Sequence, residues 1–372
     1  MINLADLTTP AALIDKNIMQ NNILRMQKRI TDLGADLRPH VKTSKSLPVV
    51  KAQIAAGAKG ITVSTLKEAT YFFENGITDI VYAVCISPNK LERVLQLQKA
   101  GCDLKIITDS PKMASEIVRF AKERGTTFKV MIEIDSDAHR SGIRPEEHRL
   151  IETAGILHKG GITVAGVLTH AGSSYDMRTR ETLEQMAEQE RIGVVNAAEK
   201  IRAKGIPCPV VSVGSTPTAF SAVNLNGVTE VRAGVYVFCD LVMKTIGVCT
   251  FGEIALSVLA TVIGHQKEKG WAIVDAGWMA MSRDQGTRTY GYGQVLSVTG
   301  EVLDYIVEGV NQEHGIISSV KGVDTNIEES LPLGSLVRIL PNHACATSTQ
   351  FGEYYAFDER GALENWPRIH GW

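Results

Sequence analysis

The chain has 372 residues, 44% of them hydrophobic and 22% charged, and its 39 Lys and Arg against 41 Asp and Glu leave a formal net charge of −2. That balance offers no basic surface for nucleic acid or an anionic membrane, so neither is expected as a partner, whereas small ligands remain open. The length exceeds what one small core fills and suits a large barrel with an appendage, or two domains.

The opening MINLADLTTPAALID has neither a basic stretch nor an apolar one, so no signal peptide is read there. No apolar run approaches the roughly 18 residues that a bilayer crossing needs. The six cysteines (Cys85, Cys102, Cys208, Cys239, Cys249 and Cys345) are scattered without a CxxC pair. In so long a chain this points to reduced thiols and a cytoplasmic protein.

Met19, Ile23, Met26, Ile30 and Leu33 recur at helical spacing and predict an amphipathic helix over 15–33. Eight compact apolar runs follow: ADLRPHV, GITVS, DIVYAV, DLKIITD, FKVMIEID, ITVAGVLTH, PVVSVGS and EVRAGVYVF. Amphipathic stretches such as STLKEATYFFENG and SPKMASEIVRFAKERG lie between most of them. Short continuous apolar strands alternating with helices predict a parallel sheet covered by helices, and eight units predict a closed (β/α)8, TIM-like barrel over 11–244. Past residue 244 the runs IALSVLATVIG, GWAIVDAG, GQVLSV, YIVEGVNQEHGIISS and GSLVRILP carry little helical pattern. They predict a C-terminal all-β domain of 245–372, joined by residues 1–10.

In such barrels the chemistry gathers at the carboxyl ends of the strands. Lys42 in RPHVKTSKS ends the first run; taken singly it reads as a surface lysine at a strand end, and the other strand ends turn the reading towards the barrel mouth. The fifth run leaves Asp135, His139 and Arg140; the sixth leaves His170 and Tyr175. The seventh ends in Gly214, Ser215 and Thr216, and the eighth carries Arg232, Gly234 and Tyr236. A Gly-Ser-Thr turn after a strand can cup a phosphate with backbone N–H groups and two hydroxyls. A lysine, a phosphate cup, two arginines and a histidine around one cavity suit pyridoxal 5′-phosphate.

These segments resemble the fold-type III pyridoxal-phosphate enzymes, the alanine racemase group, and most closely their D-serine dehydratase, D-threonine aldolase and 3-hydroxy-D-aspartate dehydratase branch. RPHVKTSKS is similar to that branch's lysine motif RPHxKTHK, which implies Lys42 as the residue bonded to the cofactor, with Ser44 departing from the usual second histidine. HRSG implies Arg140 at the cofactor's phenolic oxygen and LTHAG implies His170 stacked on its ring. VGSTPT and VRAGVYVF imply Gly214, Ser215, Thr216 and Gly234 at the phosphate, Arg232 at the pyridine nitrogen, and Tyr175 reaching the cofactor too.

LPNHACATSTQ places His343 and Cys345 two apart after an apolar run, so on a strand both face one side. By spacing alone they read as a turn histidine and a buried cysteine. The resemblance makes them the two ligands of a divalent metal, zinc first and manganese the alternative, with the remaining positions open to water and substrate. It also implies a lyase of D-3-hydroxy amino acids, a dehydratase yielding a 2-oxo acid and ammonia, acting as a homodimer. Retro-aldol cleavage to glycine and an aldehyde is the alternative and racemisation a third. The cofactor-homeostasis proteins built of a single barrel are disfavoured by the carboxy-terminal β segment. Arg283, Arg288 and Tyr290 in MSRDQGTRTYGYG are read as loop residues.

Overall fold

All eight apolar runs become strands of one parallel sheet in the computed structural model, which describes residues 4–358 and 362–372. The strands are Asp36–Leu37, Ile61–Val63, Asp79–Cys85, Asp103–Thr108, Lys129–Ile134, Thr163–Thr169, Val210–Val213 and Glu230–Val231. From the second to the eighth each pairs with the next, and the eighth pairs with the first through Asp36↔Glu230 and Leu37↔Val231. The remaining seam is stitched beyond the first strand. Lys59 N–H reaches Leu37 O at 2.9 Å, Thr62 N–H reaches Pro39 O at 2.8 Å, and Val41 N–H reaches Thr62 O at 2.9 Å. The barrel is therefore closed. Covered on both faces, its strands are nearly continuous in apolar residues, and Ile61, Val63, Ile106, Val130, Ile132 and Val211 are wholly buried.

The helices between strands carry ordinary stop and start chemistry. Ser110 caps Pro111–Arg124 by accepting from Met113 N–H, Pro111 fills a first-turn position that needs no donor, and Gly125 ends the helix in the left-handed region. The first helix runs Lys16–Asp32 and buries Met19, Ile23, Met26 and Ile30. Leu33 lies one residue past its end and is half-buried.

A second sheet is antiparallel apart from one pairing. Leu256–Gln266, Trp271–Val274, Gly315–Ser319, Val302–Val310, Gly293–Leu296 and Leu336–Pro341 pair in that cyclic order and close on themselves. Val258, Val274, Val295, Val307, Ile317 and Ile339 fill their interior. Ala11–Asp15 adds to Leu256–Gln266, and Glu353–Phe357 and Leu363–Pro367 extend the edge.

Two compact units result. One gathers 4–24, 43–49, 235–358 and 362–370; the other gathers 25–42, 50–234 and 371–372. Segments 11–24, 43–49 and 235–244, expected in the barrel part, cluster with the antiparallel unit, because the Ala11–Asp15 strand pairs there. Residues 1–3 and 359–361, expected in the β domain, lie outside the described residues. Among the described residues no helix is long and apolar enough to cross a membrane.

Candidate functional site

The barrel unit draws a lysine, two histidines and two arginines to its strand ends. Lys42 is exposed in the turn that follows the His40–Thr62 bridge, and its N–H donates to His40 Nδ1 at 3.4 Å. Burial pushes the His40 pKa well down, and the charges of Lys42 and Arg232 push it further. His170, at the end of the sixth strand, donates from Nδ1 to Gly214 O at 2.8 Å, since a carbonyl can only accept. Burial, then Lys42, bring its pKa down to about 3, with Arg140 and Arg232 adding to the effect. Both rings are thus neutral and flanked by fixed positive charge. Tyr175 lies beside His170, ring centroids 6.3 Å apart.

Arg232 is 6% exposed and gives one Nη to Ser212 Oγ and the other to Thr169 O. Burial pulls its pKa down, and Glu230, Glu190 and Glu133 oppose that pull. Beneath it Ser212 donates to Glu230 at 2.9 Å, and Glu230 accepts from Arg38, which also clasps Asp79 with bonds of 2.9 and 3.0 Å. Arg140 is exposed at the fifth strand's loop, with its guanidinium 3.6 Å from Glu133.

The Gly-Ser-Thr turn differs from the open cup that its sequence suggests. Gly214 has φ 147°, and a Cβ there would lie 1.8 Å from Arg232 O, so only glycine fits. Its N–H donates to Glu190 at 3.0 Å, and the same carboxylate oxygen takes Ala171 N–H. Ser215 caps the short helix Thr216–Ser221, its hydroxyl accepting from Thr218 N–H and its own N–H donating to Thr218 Oγ1. Pro217 has no N–H. Several donors of the turn are therefore committed internally, because a capping box satisfies them. Gly234 stands two residues beyond Arg232, where the eighth strand has already given way; Val235–Val237 is a 3-10 turn rather than strand, and Tyr236 is wholly buried.

In the antiparallel unit, the expected strand ends at Pro341, so His343 and Cys345 are not strand neighbours. His343 is the N-cap of Ala344–Ser348 and Cys345 lies in its first turn. The cause is Asp240, 1% exposed, whose carboxylate takes the N–H of Ala344 at 3.0 Å and that of Met243 at 2.9 Å. His343 Nδ1 lies 2.8 Å from Asp284 Oδ2, and Cys345 Sγ lies 3.0 Å from Thr43 Oγ1. Burial would lower the His343 pKa, but Asp284, Cys345 and Asp240 together raise it to about 11. The pair therefore sits in a pocket of negative charge that a proton neutralises and that a divalent cation would suit. Among the described residues, the group of three ligand types whose donor atoms all lie within 4.8 Å is another one, Cys85, Asp109 and Glu133, at the ends of the third to fifth strands.

Sequence reasoning missed Asp240, Asp284, Thr43, His40 and Glu190. Asp284 lies within the MSRDQGTRTYGYG stretch, but nothing local marks one aspartate as a histidine's partner 59 residues away. Arg283 and Arg288 are exposed there, and Tyr290 accepts from Lys244.

A closed parallel barrel with an amine at its strand ends, followed by an antiparallel unit bearing an imidazole and a thiol, defines the class as a two-unit barrel enzyme. Residues 14–241 match the family model described as "Alanine racemase, N-terminal domain", and residues 255–357 match that described as "Putative serine dehydratase domain". The chain belongs to the alanine racemase N-terminal domain family. It is 58% identical over 376 residues to D-threo-3-hydroxyaspartate dehydratase of Delftia sp. (strain HT23), covering 99% of each chain. A solved structure of that dehydratase matches with a TM-score of 0.99 at 57% identity, over 100% of both chains. Variants of it with a histidine or a cysteine replaced by alanine, two residues apart in its chain, match with the same TM-score of 0.99 and 57% identity, covering this chain fully and 97% and 100% of theirs; the cysteine variant is described as the metal-free form. The D-serine dehydratase of Dictyostelium discoideum is 28% identical, over 97% of this chain and 96% of that protein. D-threonine aldolase from Filomicrobium marinum shares the fold, with a TM-score of 0.86 at 23% identity over 98% of this chain and 96% of that one.

Proposed function

We infer that the protein is a lyase, a dehydratase of D-3-hydroxy amino acids that releases a 2-oxo acid and ammonia, with D-threo-3-hydroxyaspartate as its substrate. The observation that carries this reading is the His343–Cys345 pair. It has the spacing of the histidine and cysteine replaced in the variants of the Delftia enzyme, in a chain alike to that enzyme from end to end.

Pyridoxal 5′-phosphate fits the barrel unit on the chemistry of its donors: an exposed amine, two imidazoles held neutral, a buried arginine, and a glycine whose place no side chain can take. Lys42 would bond to it and His170 would lie on its ring. Arg232 would face the ring nitrogen and Arg140 the phenolic oxygen, with Gly214, Ser215, Thr216 and Gly234 around the phosphate and Tyr175 alongside. When bound, this cofactor supplies a sink for the electron pair left at the substrate's α-carbon.

Lys42 Nζ would be the group that takes up the substrate's α-proton. Around it both imidazoles are kept uncharged, with Arg232 among the charges that lower them. His343 Nε2 and Cys345 Sγ would hold the divalent cation, zinc or manganese, whose Lewis acidity would ease departure of the β-hydroxyl. A homodimer in the cytoplasm is part of the same reading. The aldolase reaction uses the same residues, and the thiol of Cys345 weighs towards dehydration through the likeness to dehydratases.

The test is to incubate the holoenzyme with D-threo-3-hydroxyaspartate, D-serine, D-threonine and their L-isomers and to analyse products. Ammonia and 2-oxo acid from the D-hydroxyaspartate support the reading. Glycine and an aldehyde would replace it with cleavage, and inverted substrate with racemisation.

A further inference from the structure

We propose that Asp284 is the positioning residue of the metal pair: it accepts the Nδ1 proton of His343, so that the imidazole presents Nε2, and only Nε2, to the cation. This deepens the reading of His343 and Cys345 as metal ligands and rests on it.

The geometry is specific about both partners. A carboxylate oxygen cannot donate, so the 2.8 Å contact between His343 Nδ1 and Asp284 Oδ2 has the proton on the imidazole nitrogen. With Nδ1 so engaged, Nε2 is the nitrogen left to coordinate a Lewis acid. A ring free to swing about its χ angles would offer either nitrogen; a ring anchored at one offers the other in a fixed direction.

Asp284 is itself held on both oxygens. Oδ2 takes His343, and Oδ1 takes Gly286 N–H at 2.8 Å, in a turn where Gly286 has φ 51°. The Asp284 backbone is tied down as well, its N–H to Ser282 Oγ at 3.2 Å and its carbonyl to Asn342 Nδ2 at 3.1 Å. Asn342, the residue before His343, donates also to Gly291 O at 2.8 Å, so one amide clamps both ends of the 284–291 loop. The histidine and its partner are therefore fixed against each other from two sides.

The competing role for Asp284, that of a third metal ligand, fits less well. Both its oxygens are engaged, and its donor atom does not join those of His343 and Cys345 within 4.8 Å of one another. The loop thus serves the pair from outside and leaves the other coordination positions open.

The experiment measures Zn2+ affinity by chelator competition on cofactor-loaded protein, for wild type, Asp284→Ala, Asp284→Asn, His343→Ala and Cys345→Ser. Asp284→Ala is expected to bind Zn2+ about 10- to 100-fold more weakly, with unchanged cofactor absorbance. Asp284→Asn, whose amide oxygen still accepts from Nδ1, is expected to restore most of that loss. Nuclear magnetic resonance of the Zn2+-loaded wild type should show the His343 ring proton on Nδ1, a readout that needs no variant to fold. Wild-type affinity in Asp284→Ala, or a ring proton on Nε2, would overturn the assignment while His343→Ala and Cys345→Ser still lose the ion. If those two variants kept the ion, the metal reading would fall, and the role of Asp284 with it.

Discussion

The two histidines that matter most, His170 and His343, live under opposite fields. At the barrel's strand ends His170 is half-buried near Lys42, Arg140 and Arg232, and its pKa falls to about 3. In the antiparallel unit His343 is half-buried too, yet Asp284, Cys345 and Asp240 raise its pKa to about 11. Desolvation acts alike on both, so the sign of the neighbouring charge decides. One ring lies among positive side chains and the other among negative ones. On the function proposed above, an elimination that stabilises a carbanion and expels hydroxide would draw on both.

The contrast can be broken at several points. Replacing Lys42 by alanine removes the one amine at the strand ends proposed to bond the cofactor; turnover should fall by about 10^2- to 10^4-fold, and the bound-cofactor absorbance should shift. His343→Ala or Cys345→Ser should abolish metal uptake, with a loss of transition-state stabilisation of several kcal/mol in kcat/KM and little change in cofactor content. Within the barrel, Arg38→Ala strands Glu230 as a buried carboxylate without its arginine; both side chains of that pair are 2% exposed, and the cost should be about 3–5 kcal/mol in urea unfolding. Gly214→Ala forces a Cβ against Arg232 O at a positive φ and should cost about 1–3 kcal/mol, with weaker cofactor binding. The smallest effect is a pH slope. Because the folded state holds His170 neutral well below its ordinary pKa of 6.5, the unfolded chain takes up the proton first, and cofactor-free protein should lose stability as pH falls from about 6.5 towards 3. His170→Asn should flatten that part of the profile.

Much of the barrel was legible because its strands are continuous apolar runs and its helices carry caps and periodicity. Strand ends could then be placed, and with them Lys42, Arg140, His170 and Arg232. What stayed hidden depended on contacts distant in sequence. The eighth run reads as one strand to Phe238, yet its pairing stops at Val231 and the chain turns into Val235–Val237. The His343–Cys345 spacing was visible, but the strand assumed beneath it gives way to a helix start because Asp240, 104 residues away, caps Ala344. The Gly-Ser-Thr turn read as a row of free donors, and the buried Glu190, on a helix 24 residues earlier, takes the first of them. Ion-pair partners such as Asp284 and Glu230 leave no periodic trace.

The requirement for both fields is tested most directly by ammonia release from D-threo-3-hydroxyaspartate before and after treatment with EDTA, with the cofactor absorbance followed in the same sample. The expected result is loss of ammonia release while the absorbance is retained, and recovery on adding Zn2+ or Mn2+. Undiminished release from protein shown to be free of metal would contradict it.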